Sequence, residues 1–374
     1  MDGLKHNSFL KSKVDNRLQR IANVLLLNAS FIDNIGLLNG KMGIAIFFFH
    51  YARFVNNKIF EDYAGELIDE IYEEINTNTL VDFANGLTGI GWGIEYLVKN
   101  RFVEADTDEA LSEIDTSVYR NSLYRPFLLD NDKDLFGFGL YYLTRLREHE
   151  NDDDNLNTLF KKQHLIYLTD DCERILIKKQ YLDFSIQSLS LDTINSFAWF
   201  LLEMHRLGLF PMKVEKLFHS LPEYIESCLQ SSDDKAGHSQ ILLLTENIIH
   251  CVADKELKDI LKTILKKEND KVSDTDTPED IVFKNFLKNT WQQLVYAPYI
   301  IPDNFLQDSA GELFSIIDNE ENWNRRLDKL NMNNMGLTGF AGLGLGLLFS
   351  QMKEELRTVK SEVRMESIIE KLGK

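Results

Sequence analysis

The sequence predicts an all-α fold, an α/α toroid (barrel) of about seven helical hairpins. Three observations carry that expectation. A glycine-rich motif recurs along the chain, its spacing is that of two helices and two turns, and apolar segments alternate with amphipathic ones. The motif stands at residues 36–52 (GLLNGKMGIAIFFFHYA), 82–98 (DFANGLTGIGWGIEYLV) and 333–349 (NNMGLTGFAGLGLGLLF). Each copy reads Gly-x-x-Gly, a large apolar residue, Ala or Gly, then an apolar run. The glycine pairs are Gly40/Gly43, Gly86/Gly89 and Gly336/Gly339. From Gly43 to Gly339 is 296 residues, or six steps of about 49. That period fits a pair of helices of ~11–20 residues with their turns.

The elements follow in order. Residues 10–29 carry Leu10, Val14, Leu18, Ile21 and Leu25 at helical spacing, so they predict an amphipathic helix. Residues 36–52 are apolar nearly all round and predict a helix buried on every side. Residues 61–75 are amphipathic again, with Tyr63, Leu67, Ile71 and Ile75 on one face and acids on the other. Residues 82–98 repeat the apolar type. Fainter copies stand at 135–146, 190–205, 236–250 and, weakest, 283–297, with Gly137 in the place of Gly43 and Gly89. The acidic stretches 147–155 and 268–280 read as solvated connections. The repeat continues on both sides of each, so residues 1–374 read as a single domain. Apolar helices then form an inner ring and amphipathic ones an outer ring. No sustained period-two run bounded by hairpin turns predicts a strand. Repeated glycines in helices, each costing roughly 0.5–1 kcal/mol against Ala, need a reason. Close packing is one, and a backbone lining a ligand cavity is another.

Composition excludes several functions. The net charge is −18, from 41 basic and 59 acidic residues. So acidic a chain does not suit nucleic acid or anionic membranes, which need a basic surface. Three cysteines, Cys172, Cys228 and Cys251, without a CxxC, exclude a disulfide framework and fit a reducing cytoplasm. The N-terminal stretch has no apolar signal region, and no apolar run approaches a membrane span. There is no P-loop, dinucleotide fingerprint or G-x-S-x-G elbow.

The three clear copies, NGKMGIAIFF, NGLTGIGWGIEYL and MGLTGFAGLGLGLL, resemble the first, second and last inner-helix motifs of the lanthionine synthetase C-like family. The last is the most specific, since a terminal Gly-x-x-Gly-φ-Ala-Gly before an apolar helix is typical there. The resemblance implies an α/α toroid. It also implies, for cyclases of that family, one zinc held by a Cys in the later repeats and a Cys-His pair in a C-H-G motif. Such a zinc activates a substrate thiol for addition to a dehydroalanine or dehydrobutyrine of a precursor peptide. This chain departs from the pattern. It contains no C-H-G, and Lys235 stands where the first zinc Cys is expected. The one Cys-His adjacency, His250-Cys251, is reversed and lies twelve residues from His238, roughly 18 Å along a helix. No family zinc site, and no other cofactor, is therefore expected.

In such a fold the loops entering the inner helices face the central cavity. Their polar residues are the site candidates: Asn39, Asp82, Asn85, Asp192, Asn195, Lys235, His238, Asn333 and Asn334. For Asn39, Asn85, Asn334 and Asp192 the competing role is helix N-capping. Asp82 and His238 are the candidate catalytic groups, and a structural hydrogen bond is the plainer use of His238. Glu95, His50 and Glu203 fall within apolar helices, where a polar group either lines a wet cavity or is paired. Trp92 and Trp199 could stack on a peptide or sugar, though such residues more often build core. Three functions follow. The first is a zinc-free, cyclase-related bacterial protein of the cytoplasm. It binds a precursor peptide in the cavity and assists its maturation or export, alongside modifying or export machinery. The second is a metal-free acid–base enzyme acting on glycan or peptide through carboxylates such as Asp82. The third is an active cyclase with an unusual metal site at His238.

Overall fold

The computed structural model describes residues 2–124, 132–147, 156–178, 189–232, 235–269, 286–288, 290–291, 294–295, 320–327 and 335–351. Among them there is no strand, and the chain is all-α. Asn333, Asn334 and most of the two acidic connections lie outside the described residues. Two compact units divide the chain. One comprises Met1–Ile75, Thr277–Ala297 and Ile301–Lys374; the other comprises Asn76–Asp276 and Pro298–Ile300.

The first unit contains α1 (Asp2–Asn28), α2 (Lys41–Val55) and α3 (Lys58–Glu74). It also holds α14 (Glu320–Leu327) and α15, residues 340–351. Helix α2 buries Lys41 through Phe49 on all sides, whereas α3 buries only Ala64, Leu67 and Ile71. This is the alternation of apolar and amphipathic helices that the sequence predicts. Asn56, in the left-handed region at φ 51°, ends α2 by donating its backbone N–H to the Ala52 and Arg53 carbonyls. Asn57 then caps α3 by accepting from the Ile59 N–H. Lys41 is buried, and its ammonium reaches across to Glu70 at 2.9 Å and to Glu74 on α3 at 2.5 Å. Helix α14 docks on α1 through Trp323, which is fully buried under the Arg17 guanidinium at 5.4 Å.

The second unit contains α4 (Leu87–Lys99), α5 (Thr107–Ala110), α6 (Ser112–Tyr124), α7 (Asp132–Arg147) and α8 (Leu156–Leu176). It continues with α9 (Leu191–Arg206), α10 (Pro211–Phe218), α11 (Leu221–Ser231), α12 (Lys235–Cys251) and α13 (Lys255–Asn269). The helices of the repeat motif, α4, α7, α9 and α12, pack successively, each on the next. Their glycines take aromatic rings. A Cβ on Gly91 would meet the Tyr141 ring at 2.4 Å, and one on Gly139 the Phe200 ring at 3.0 Å. The first unit repeats the device, with Phe47 against Gly344 and Phe286 against Gly346. Close packing thus accounts for these helical glycines: a ring fills the place of each missing side chain.

His50 of α2 sets its ring edge-on against Phe349 of α15, with centroids 5.2 Å apart. Burial, assisted by Arg53, pulls its pKa down to about 3. The native state therefore holds His50 neutral, while an unfolded chain protonates it near pH 6.5. Stability is unaffected by this group above pH 6.5 and falls as pH drops toward 3, by up to about 1.4 kcal/mol per unit. We expect His50→Phe, which keeps the ring contact, to flatten the acid limb of a stability profile between pH 6.5 and 4. Urea midpoints measured across that range check it; an unchanged slope would remove His50 from the acid response.

Candidate functional site

The loops that enter α2 and α4 have one geometry. Gly40 and Gly86 both occupy the N-cap, at φ −137°, ψ −160° and φ −130°, ψ −163°. The chain folds back so that Lys41 N–H donates to the Asn34 carbonyl at 2.9 Å and Leu87 N–H to the Leu80 carbonyl at 2.8 Å. A Cβ on Gly40 would lie 2.0 Å from the Asn34 oxygen, and one on Gly86 2.2 Å from the Leu80 oxygen. No other residue fits there without moving backbone.

This geometry corrects the capping assignments. Asn39 and Asn85 are not the caps, because the glycines that follow them are, without any side-chain bond. Asn39 Oδ1 instead lies 2.8 Å from the Thr338 hydroxyl of the last repeat. Asp82 is engaged by its own turn: its Oδ1 accepts from Ala84 N–H at 3.0 Å, Asn85 N–H at 2.9 Å and, at 3.4 Å, the Asn85 side-chain amide. Asp192 is the exposed second residue of α9, and Ser190 is the cap, accepting from Thr193 N–H. Trp92 lies in the core against Phe83 and Tyr96, and Trp199 is buried as well.

The carboxylates within apolar helices are paired. Glu203 accepts from Arg206 at 3.2 Å. Glu95 binds Arg145 of α7. Arg145 is fully buried and also reaches Asp108 at 2.8 Å and Asp115 at 2.7 Å, and Tyr141 donates its hydroxyl to Asp115 at 2.7 Å. Lys161 joins at 3.4 Å from Asp108. Sequence reasoning missed Arg145 as the partner. The available signal was that Glu95 and Arg145 are 50 residues apart, about one repeat, on consecutive helices of the repeat motif.

Two buried polar atoms without partners lie in the first turns of α9 and α12. Asn195 is 2% exposed, and its Nδ2 donates across to the Gly237 carbonyl at 3.2 Å. Its Oδ1 is buried and meets no donor, and the same holds for Nε2 of the adjacent His238. Lys235 is the first residue of α12, and Asn195 of α9 reaches this end of the helix through the Gly237 carbonyl, beside His238 in sequence. Nothing brings Asp82 or Asn85 to it among the described contacts.

The donors that a zinc would need are dispersed. Cys172 lies on α8 and Cys228 on α11, where its thiol donates to the Leu189 carbonyl; Cys251 ends α12. Burial pushes all three thiols up. Among the described residues no three His, Cys, Asp or Glu side chains converge as a metal site. No described helix is long and apolar enough to cross a membrane.

Comparison with known families matches residues 32–190 to the model of the lanthionine synthetase C-like protein. No curated protein matches the chain. The matched stretch holds the first two clear repeats and α7, and it ends just before α9.

Proposed function

We propose that this chain, a member of the lanthionine synthetase C-like family, is a zinc-free peptide-binding protein. In this reading it assists the maturation or export of a ribosomally made, modified peptide. The observation that carries the proposal is the pairing of the family match over residues 32–190 with three cysteines placed on separate helices. Thiol addition to a dehydroalanine needs a thiolate at neutral pH, and a bound metal is what supplies it in the family's cyclases. A chain that keeps the helical scaffold and disperses those donors retains a surface for the peptide and loses the means to cyclise it. Asn195 Oδ1 and His238 Nε2, buried and unpartnered in the first turns of α9 and α12, are the polar atoms this reading assigns to the peptide. The acid–base alternative is weakened by Asp82, whose carboxylate already accepts from two backbone N–H groups of its own turn.

Two measurements test the proposal together. Elemental analysis of protein purified without added metal or a nickel tag should find zinc far below one equivalent, with no uptake on adding it. Calorimetric titration with short Cys- or Gly-rich precursor peptides encoded beside the gene should give saturable binding without mass change in the peptide. Near-stoichiometric zinc, or loss of free thiol from a dehydrated peptide on incubation, would overturn the zinc-free reading and restore cyclase chemistry.

A further inference from the structure

We infer that Asn195 presents a hydrogen-bond acceptor to a neutral N–H donor of the bound ligand, and that a peptide backbone amide is the group it takes. The inference rests on the peptide-binding reading and names the contact within it. It begins with the orientation of one side chain. Asn195 Nδ2 faces the Gly237 carbonyl at 3.2 Å. A carbonyl only accepts, so the nitrogen must stand on that side and the oxygen on the other. The outward atom is therefore an acceptor, and it is buried and unpartnered in a residue that is 2% exposed. Buried amide oxygens are rarely left so, and one that is calls for a donor from outside the described fold.

The donor's charge follows from the position. Asn195 sits in the first turns of α9, and Gly237 in the first turn of α12. Two helix N-termini meet here, each with the positive end of its dipole. A cation, whether an ammonium or a metal ion, is disfavoured at such a place, while a neutral N–H is not. His238, next to Gly237, adds a second buried ring nitrogen without a partner. A neutral imidazole nitrogen accepts or donates according to tautomer, and a peptide group presents both an N–H and a carbonyl. The peptide unit suits both atoms, whereas a purely anionic ligand offers Asn195 Oδ1 no donor and a purely cationic one is opposed by the two helix dipoles.

The test uses the full chain labelled with 15N at asparagine and histidine, and two small probes. N-methylacetamide carries the peptide N–H; N,N-dimethylacetamide has the same carbonyl without it. Saturable shifts of the Asn195 side-chain amide and the His238 ring nitrogens with the first probe alone are expected. In Asn195→Leu the His238 shift should vanish while the other asparagine signals hold their positions, which separates loss of the contact from loss of fold. Equal responses to both probes, or none to either, would overturn the inference: the first result would leave a carbonyl contact only, the second an acceptor satisfied by water. For a peptide that binds, methylating the contacting backbone nitrogen should weaken binding at least tenfold in the native protein and leave the Asn195→Leu variant unchanged. Peptide binding without the probe response would sink this contact and spare the proposed function. Probe response without peptide binding would do the reverse.

Discussion

Replacing Arg145 with methionine is expected to lower stability by about 3–5 kcal/mol, the range for breaking a buried ion pair from one side. The guanidinium is fully buried and forks between α4, α5 and α6, binding Glu95, Asp108 and Asp115 at once. Burial works against its charge, but the bond to Asp115 and the surrounding carboxylates outweigh it, so its pKa is raised. Lys161, the second cation, is lowered by its own burial and by Arg145. With Arg145 gone, three carboxylates face one ammonium, and Glu95, only 3% exposed, is left charged and without its partner. The Tyr141 hydroxyl cannot compensate, since it already donates to Asp115. Arg145→Lys should recover part of the loss, because an ammonium keeps the charge but cannot make the fork. Adding Glu95→Gln to Arg145→Met should also recover part, by removing the stranded charge. Urea midpoints at constant slope measure all three. A loss below about 1 kcal/mol in Arg145→Met would mean that the cluster hydrates rather than strands its acids.

The same cluster marks how far the sequence could be read. Glycine motifs and their period were legible, because an inner helix must be apolar all round and a fold-back loop admits only glycine at Gly40 and Gly86. That Glu95 is paired or wetted was legible too, since a carboxylate among apolar residues has few alternatives. Its partner was not, because Arg145 comes from the next repeat and Asp108 and Asp115 from short helices whose position depends on packing. The capping assignments failed for a related reason. Asn before an apolar helix satisfies a residue-type rule, but in these loops carbonyls seven residues back already take the first N–H groups, so the side chain is released for other uses. At the α9–α12 end, Asn195 and His238 were expected in the entry loops, but both lie inside the helices, in their first turns. That their atoms lack partners was not legible, since this depends on which way one amide turns toward Gly237.

Gly336→Ala and Gly65→Ala are the same chemical change, and they should move stability in opposite directions. Gly336 begins the last repeat, and a Cβ there would lie 2.6 Å from the Leu38 oxygen and 2.7 Å from the Gly40 nitrogen. These are backbone atoms of the first repeat, which cannot swing aside as a side chain would. Thr338 holds the same approach, its N–H donating to the Leu38 carbonyl at 2.9 Å. From the other side, a Cβ on Gly43 would stand 2.9 Å from the Leu337 nitrogen. The first and last repeats thus meet backbone to backbone, nearly three hundred residues apart in sequence. A methyl at Gly336 must part them, and we expect a loss of about 1–3 kcal/mol as for overpacked cores, together with the Thr338 bond. Gly65 lies inside α3, and a Cβ there meets nothing within 4 Å. Alanine at that position restricts the unfolded chain without crowding the native one and should stabilise by roughly 0.5–1 kcal/mol. Thermal and urea denaturation of the two variants side by side separate the effects. Equal stability of Gly336→Ala and the native protein would mean that the two repeats can part without cost, and that their joining does not hold the first unit together.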